Sequence, residues 1–539
     1  MAPFLEDNAK GNGDSHKAYL KAPDFQNFEH PPRIMVIGAG SRGTAYAEAA
    51  LEGTNAIIAA VCEPIDSKRE TFGKNFIWNR KFPQVPQPGE SFDNWKRWVD
   101  WVNEKSRECE AQGGTFDLGI DAAFVCVLDE MHEEVVRGIA HLGVHICCEK
   151  PMSTRLDSCI RMYQALNDVK QSSVASGDKE PVFGICHVLR YSPHNMLLRH
   201  LVRDKDVIGD VLSIEHCEPV GWWHFSHSYV RGNWRKESTS APSLLTKSCH
   251  DIDFLMWMLC TPTSSAVPHL PSSISSTGSL KYFRKSRKPA EAGSATNCLS
   301  CAYEPSCSYS AKKIYLEKQL AQGNADWPVK IVNPEIEDIY KTKGIEAASN
   351  QLLTNLAEDY DSTTPLEVRN KRNYFGRCVW ESDNDVCDDQ TVTLTWDDDG
   401  DDPSRGAKTA LFHMIAHTEK QCERRGRIYG TKGEIEYDST TISIHDFATG
   451  KTTKQIPHAA GGGHGGGDAG LVRQFLMAVD AVEQEKMSTH EAQRTYLGCD
   501  LDEAFLSHAV VFAAEDARTK KKVVDWAAWW RENVGSQLS

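Results

Sequence analysis

A chain of 539 residues exceeds what one ordinary hydrophobic core organises, so two domains with insertions are expected. Its 40% hydrophobic and 25% charged content is that of a globular, soluble chain, and a formal net charge of −15 with no basic stripe argues against nucleic acid as partner. It argues equally against a membrane: no apolar run approaches the ~18 residues of a span, no secretory signal opens the chain, and 17 scattered cysteines suit reduced thiols in the cytoplasm.

Residues 1–30 are polar and rich in Gly, Asp, Asn and Lys, the composition of a disordered tail. Residues 31–175 alternate strand and helix signals. Arg33–Ile37 reads as a short buried strand and Thr44–Leu51 as a helix. Ala56–Cys62 is a second buried strand, followed by helices over 66–76 and Asn94–Cys109. Ala122–Val127 is the next strand, His132–Leu142 a helix stopped by Gly143, and Val144–Cys148 a further strand. This alternation predicts parallel βαβ units in a doubly wound α/β Rossmann domain.

Residues 180–539 change pattern. Strands over Val182–His187, Val211–Glu218, Thr391–Trp396, Ala410–His417, Arg427–Tyr429, Glu434–Tyr437 and Thr441–His445 have few helices between them. They predict an α+β domain with a mainly antiparallel open sheet. Residues 262–296 are rich in Ser, Pro, Gly and Lys and open an irregular, cysteine-containing insertion over about 262–345. Ala469–Val482 and Tyr496–Ala517 read as helices.

Between the first strand and its helix stands Gly38-Ala39-Gly40-Ser41-Arg42-Gly43, a G-x-G-x-x-G string. The string alone is weak; its place after a strand and before a helix makes it a dinucleotide fingerprint. Gly38 serves the tight turn, Gly40 close approach to a pyrophosphate, and Gly43 helix–strand packing, with the helix N-terminus facing the phosphates. Glu63 ends the second strand, 25 positions after Gly38, where an acid binds ribose hydroxyls and repels a 2′-phosphate. NAD is therefore favoured over NADP, although Arg42 and Arg69 could soften that preference. Asp129 and His132, just past the strand at 122–127, complete the candidate cofactor contacts with Glu149 and Lys150.

Glu149-Lys150-Pro151 follows the strand Val144–Cys148, and ligands bind at the carboxyl ends of strands in open α/β sheets. Together with the fingerprint and a later histidine in a strand-to-helix segment, this motif resembles the Gfo/Idh/MocA oxidoreductases from about residue 31 onward. The resemblance implies a Rossmann domain followed by a substrate domain, a nicotinamide cofactor, and a sugar, cyclitol or related polyol as substrate. It places Lys150 near the nicotinamide and the reacting hydroxyl, with a proline that is often cis. It implies a homodimer or homotetramer formed through the open sheet.

The family's usual D-x-x-x-H aligns with Thr246-Lys247-Ser248-Cys249-His250. His250 takes the place of the proton acceptor, whereas Thr246 stands where the aspartate is usual; Lys247 or another acid then tunes the histidine. Ile252, Leu255, Met256 and Leu259 recur at helical spacing and predict a helix with one buried face. The plain alternative for His250 is a histidine bonded within the domain interface.

Arg190, in a segment resembling the family's R-x-x-P, and the adjacent Trp234 and Arg235 are candidate substrate residues. The tryptophans Trp222 and Trp223 could equally be core. His464 and Asp468 lie in Gly461–Asp468, a run too glycine-dense for plain structure and suited to a substrate-side loop. Its G-H-G-G resembles a segment of NAD-dependent glycoside hydrolases of related fold, which is a second reading; a non-catalytic NAD- and sugar-sensing regulator is a third. Cys298, Cys301 and Cys307 have the spacing of a structural zinc site that would need a fourth ligand from elsewhere, Cys378 or Cys387 being candidates; free thiols in a surface insertion are the equal alternative.

Overall fold

The structure, a computed structural model, describes residues 17–79, 83–260, 268–402, 405–458 and 463–538. Apolar runs that alternate with helices make the first sheet: β1 (Arg33–Ile37), β2 (Ile57–Cys62), β3 (Ser91–Phe92), β4 (Ala122–Val125), β5 (His145–Cys148) and β6 (Phe183–Ile185). All its pairings are parallel, in the order β3-β2-β1-β4-β5-β6. The order reverses between β1 and β4, so a crevice opens at their carboxyl ends. Every residue of β4 and β5 is buried, as strands covered on both faces require.

The second sheet has nine strands: β7 (Val211–Pro219), β8 (Ser273–Ser279), β9 (Asp389–Trp396), β10 (Lys408–Ile415), β11 (Arg425–Gly430), β12 (Gly433–Tyr437), β13 (Ile442–Asp446), β14 (Thr452–Gln455) and β15 (Val524–Asp525). Their order is β14-β13-β12-β11-β7-β10-β9-β8-β15, antiparallel except for β7 and β10. In β9 buried and half-buried residues alternate, so one face meets the core and the other stays open. Among the described residues, no helix is long and apolar enough to cross a membrane.

Three boundaries differ from the sequence expectations. Residues 1–16 of the expected tail lie outside the described residues, and residues 17–30, mostly exposed, are anchored at a few points: Tyr19 and Phe28 are buried, and Gln26 N donates to Gly53 O at 2.9 Å. The insertion is not irregular throughout. Its residues 273–279 are β8, and Ile314, Tyr315, Leu320, Ile336, Leu352 and Phe375 build a small core of their own. The Rossmann unit does not end at residue 175. β6 completes its sheet, and the helix Gly467–Glu483 returns from far along the chain to cover it, with Phe475 against Phe124 at 5.5 Å between ring centres.

Candidate active site

A cleft of about 1320 Å³ runs from the glycine fingerprint to the loop before β11 and the end of β12 in the second sheet. At one end, the fingerprint has the shape a pyrophosphate needs. Gly38 has φ +99°, and a Cβ there would lie 2.5 Å from Cys126 O; at Gly43 it would lie 2.1 Å from Gly38 O. At Gly40 a Cβ would meet nothing within 4 Å, so that backbone is open to the cleft. The helix Ser41–Gly53 starts here without a side-chain cap, and Ser41 Oγ is buried with no protein partner. Free N–H groups, a positive helix end and an orphaned hydroxyl fit a dinucleotide phosphate.

Glu63 ends β2 as expected and lines the cleft. Its Oε2 accepts from Ala39 N at 2.9 Å and its Oε1 from Ile65 N at 3.0 Å, which fastens it to the fingerprint turn. Arg69 donates to Glu63 O and Asp66 and is not among the cleft residues. Asp129 lines the cleft, buried and accepting from Trp234 Nε1 at 2.8 Å; burial raises its carboxyl above the usual range. His132 does not reach the cleft. Its fully buried ring lies between Pro151 O at 2.7 Å and Val127 O at 3.3 Å and braces the turn after β5.

That turn carries Glu149 and Lys150, and the Lys150–Pro151 bond is cis. Lys150 Nζ donates to Thr246 O at 2.7 Å. The residue at the usual aspartate position therefore offers its main-chain carbonyl to the lysine. Glu149 accepts from Arg42 Nε at 2.7 Å and from the Tyr46 hydroxyl at 2.5 Å. Burial opposes its charge, but Arg42 and Lys150 hold it below the ordinary carboxylate range.

The expected single amphipathic helix is two pieces, Ser243–Thr246 and Cys249–Leu259, with Lys247 and Ser248 between them. All eleven residues of the second piece are buried, not one face. Its entry is dense with charge. Arg424, at the end of the loop before β11, donates through Nε to Asp251 at 2.9 Å, pairs with Glu218 at 2.8 Å, and donates through Nη2 to His250 Nε2 at 2.8 Å. Lys247 Nζ lies 3.1 Å from both Glu218 and Cys422 Sγ. His216 bridges Asp251 at 2.9 Å and the Tyr437 hydroxyl at 2.8 Å.

Burial pushes Glu218 up to about 7, whereas Arg424 and the bonds around Asp251 overcome burial and hold that carboxyl well down. Burial drives His250 well below an ordinary histidine, so it is neutral. A guanidinium cannot accept, so His250 Nε2 must, and its proton sits on Nδ1, which has no partner. The ring thus differs from the proton acceptor expected at this position.

The glycine run places a second histidine beside the first. Gly461 and Gly462 lie outside the described residues. His464, in left-handed backbone at φ +53°, is edge-on to His250 at 5.9 Å between ring centres. Its Nδ1 meets Asp468 Oδ1 at 3.0 Å, and Arg42 grips the same carboxylate with Nη1 and Nη2 at 2.9 and 2.8 Å. A Cβ at Gly463 would lie 2.1 Å from Asp468 Oδ2, which is why glycine stands there.

Of the other expected substrate residues, Trp234 lines the cleft. Arg190 and Arg235 do not. Arg190 is 3% exposed and bonded to Asp253, Gly498 O and Glu503, so it holds the core together. Arg235 is spent on Asp383, Asn373 and Arg369 O. Trp222 and Trp223 pack on the insertion's core.

The zinc expectation fails geometrically. Cys298 Sγ accepts from Ala311 N and Arg231 Nη2, and the three cysteines gather no ligand set. Among the described residues, two groups of three ligand atoms come within 4.8 Å: His187, Cys249 and His508, and Glu218, His250 and Asp251. In the first, both His508 nitrogens are used, by Ala504 O and Met152 N; in the second, Arg424 already occupies the space a cation would need.

Sequence reasoning missed Arg424, Glu218, Asp251 and His216. Two of them, Glu218 and Asp251, carried a signal in retrospect: an acid near the end of a strand, and an acid in the first turn of a largely apolar helix.

Comparison with known proteins agrees with this geometry. Residues 32–175 match the model of GFO_IDH_MocA, described as an oxidoreductase family with an NAD-binding Rossmann fold. Inositol 2-dehydrogenase 2 of Saccharopolyspora erythraea is 26% identical over 156 residues, 29% of this chain and 40% of that one. 1,5-Anhydro-D-fructose reductase of Ensifer adhaerens is 26% identical over 153 residues, 28% and 41% of the two chains. The matches thus span less than half of these relatives' lengths. An inositol dehydrogenase homolog of Azotobacter vinelandii, solved with NAD+, superposes with a TM-score of 0.56 at 13% identity, covering 94% of this chain and 100% of that one. Residues 32–175 are thus similar to the NAD-binding Rossmann fold of the Gfo/Idh/MocA oxidoreductase family.

Proposed function

We propose that the protein is an NAD-dependent oxidoreductase acting on a secondary hydroxyl or carbonyl of a sugar, cyclitol or related polyol. One observation carries the reading: the pyrophosphate cradle of Gly38–Gly43 and the polar heads of Lys150, His250 and His464 line the same cleft. Bound NAD supplies the two-electron acceptor or donor. The protein's part is to hold the reacting oxygen, move its proton and exclude water. Lys150, anchored on Thr246 O, presents an ammonium to the oxygen as charge develops on it. Trp234, pinned by Asp129, offers an aromatic face on which a sugar ring can lie.

NAD is preferred over NADP because Glu63 stands buried at the ribose end, while the nearby Arg69 is already engaged by Glu63 O and Asp66. The test is absorbance at the reduced-nicotinamide band while the protein meets NAD and a panel including myo-inositol, levoglucosan and common hexoses. A substrate-dependent rise supports the reading; tight NAD binding with no rise from any member removes it. Lys150→Met lowers turnover by ~10²–10³-fold and leaves NAD affinity within a few-fold.

The G-H-G-G loop favours a second reading, a glycosidase that oxidises and re-reduces its substrate on retained NAD. Release of aglycone without net NADH separates it from the first.

A further inference from the structure

We propose that His464, backed by Asp468, is the group that takes the substrate's hydroxyl proton, and that His250 is instead held as the acceptor of an Arg424 hydrogen bond. The inference rests on the oxidoreductase reading for its substrate, but the wiring of the two rings stands on the geometry alone.

Two imidazoles meet in the cleft, and each has one nitrogen committed. On His250 the committed nitrogen is an acceptor: Nε2 receives Arg424 Nη2 at 2.8 Å. Arginine has no lone pair to offer and does not lose its proton, so the remaining nitrogen of a neutral His250 must be Nδ1–H. A nitrogen that already carries a proton cannot take another. Releasing Nε2 would uncouple Arg424, which is also bound to Asp251 and Glu218, both fully buried.

On His464 the committed nitrogen is a donor. Nδ1 faces Asp468, whose carboxylate is gripped by both terminal nitrogens of Arg42 and is held ionised against the cost of burial. An ionised carboxylate only accepts, so the proton lies on Nδ1 and the lone pair on Nε2. That is the arrangement in which a carboxylate fixes the tautomer of a base. About a quarter (26%) of the His464 side chain is exposed, and it lines the cleft, so Nε2 is reachable where His250 Nε2 is not. Burial lowers the His464 pKa, with Asp468 opposing, so the ring is unprotonated at neutral pH and ready to accept.

The step balances. The substrate O–H proton goes to His464 Nε2, the C–H hydride goes to NAD+, and the C–O bond becomes a carbonyl held by Lys150 Nζ–H. The imidazolium, stabilised by Asp468, returns its proton to solvent. In this step Asp468 and Arg42 act through His464 rather than on the reacting atoms; they are positioning residues. Arg42 also binds Glu149 and belongs to the glycine fingerprint, so one side chain ties the nucleotide turn, the lysine turn and the histidine loop together.

The experiment compares His464→Asn with His250→Asn in the full-length protein. Asparagine keeps a donor toward Asp468 and tolerates left-handed backbone. On whichever panel compound the unaltered protein oxidises, H464N loses ~10²–10⁴-fold in kcat. It also loses the acidic limb of the kcat/KM pH profile, while H250N keeps that limb. Asp468→Asn moves the limb further to acid, because the carboxylate that favours the protonated ring is gone. The second readout needs no turnover: 15N-histidine NMR of the cofactor-free protein, assigned by the same variants, shows the unprotonated nitrogen of His464 to be Nε2. An acidic limb that persists in H464N and vanishes in H250N overturns the assignment, as does a His464 proton found on Nε2. If no panel compound is oxidised, the oxidoreductase reading falls and the NMR result alone decides the wiring.

Discussion

Arg42 and Arg424 each tie a carboxylate and a histidine to one cleft, and they do it in opposite senses. Arg424 donates to the histidine itself and to the acids behind it; Arg42 donates to the acid and leaves the histidine free. Arg424 is 9% exposed and its acids are fully buried, whereas the Arg42 side chain is 32% exposed. The same three residue types therefore make a closed cluster in one place and an open one in the other. What sets a histidine's role here is which of its nitrogens the neighbours have already claimed.

The sharpest break is Arg424→Met. It strands the buried Asp251 carboxylate without its guanidinium and leaves Glu218 to Lys247 alone, and unfolding in urea should show a loss of about 3–5 kcal/mol. A loss under 1 kcal/mol would mean that the closed cluster is not held by that guanidinium. Arg42→Met should cost less, roughly 1.5–3 kcal/mol, because water reaches its side. Its signature is weakened NAD binding together with lost turnover. Equal costs for the two arginines would erase the contrast between the clusters.

Acid should act on both at once. Asp251, Asp253 and Asp468 are held below an aspartate's ordinary range because cations outweigh burial. Their contribution is present above that range, which the unfolded chain keeps, and is lost as pH falls below it, so stability should drop steeply under about pH 4. D468N should flatten only part of that drop. The smallest effect is expected in the insertion: Cys301→Ser should stay within about 0.5 kcal/mol of the parent, and the purified protein should hold no stoichiometric zinc by atomic absorption.

The nucleotide end of the cleft was legible because its parts are contiguous. A strand, three glycines, a helix and an acid follow one another within residues 33–63, and local spacing is enough to assign them. The Glu149–Lys150 turn was legible for the same reason. The catalytic end was not, since its partners are joined only by folding: Arg42 and Asp468 lie 426 positions apart, Arg424 and His250 174. Arg190 and Arg235 misled because a planar donor suits a sugar and a buried acid equally well, and only burial separates the two. β8 was hidden by its composition. In Ser273–Ser279 the sole large apolar residue is Ile274, and the strand exists because β9 supplies its hydrogen bonds. His250 was found by its motif, but its tautomer depends on an arginine that no motif mentions.

The return of the helix Gly467–Glu483 to the first sheet has a consequence for how this protein is made. A ribosome releases the Rossmann strands early, yet the helix that covers them, and the carboxylate that Arg42 grips, emerge only after nearly the whole second domain has been synthesised. Until then Phe124 has Tyr46 of the first helix against it but lacks Phe475. The nascent first half is therefore a natural client for a chaperone, and an expression fragment cut at the domain's apparent end would inherit that gap permanently.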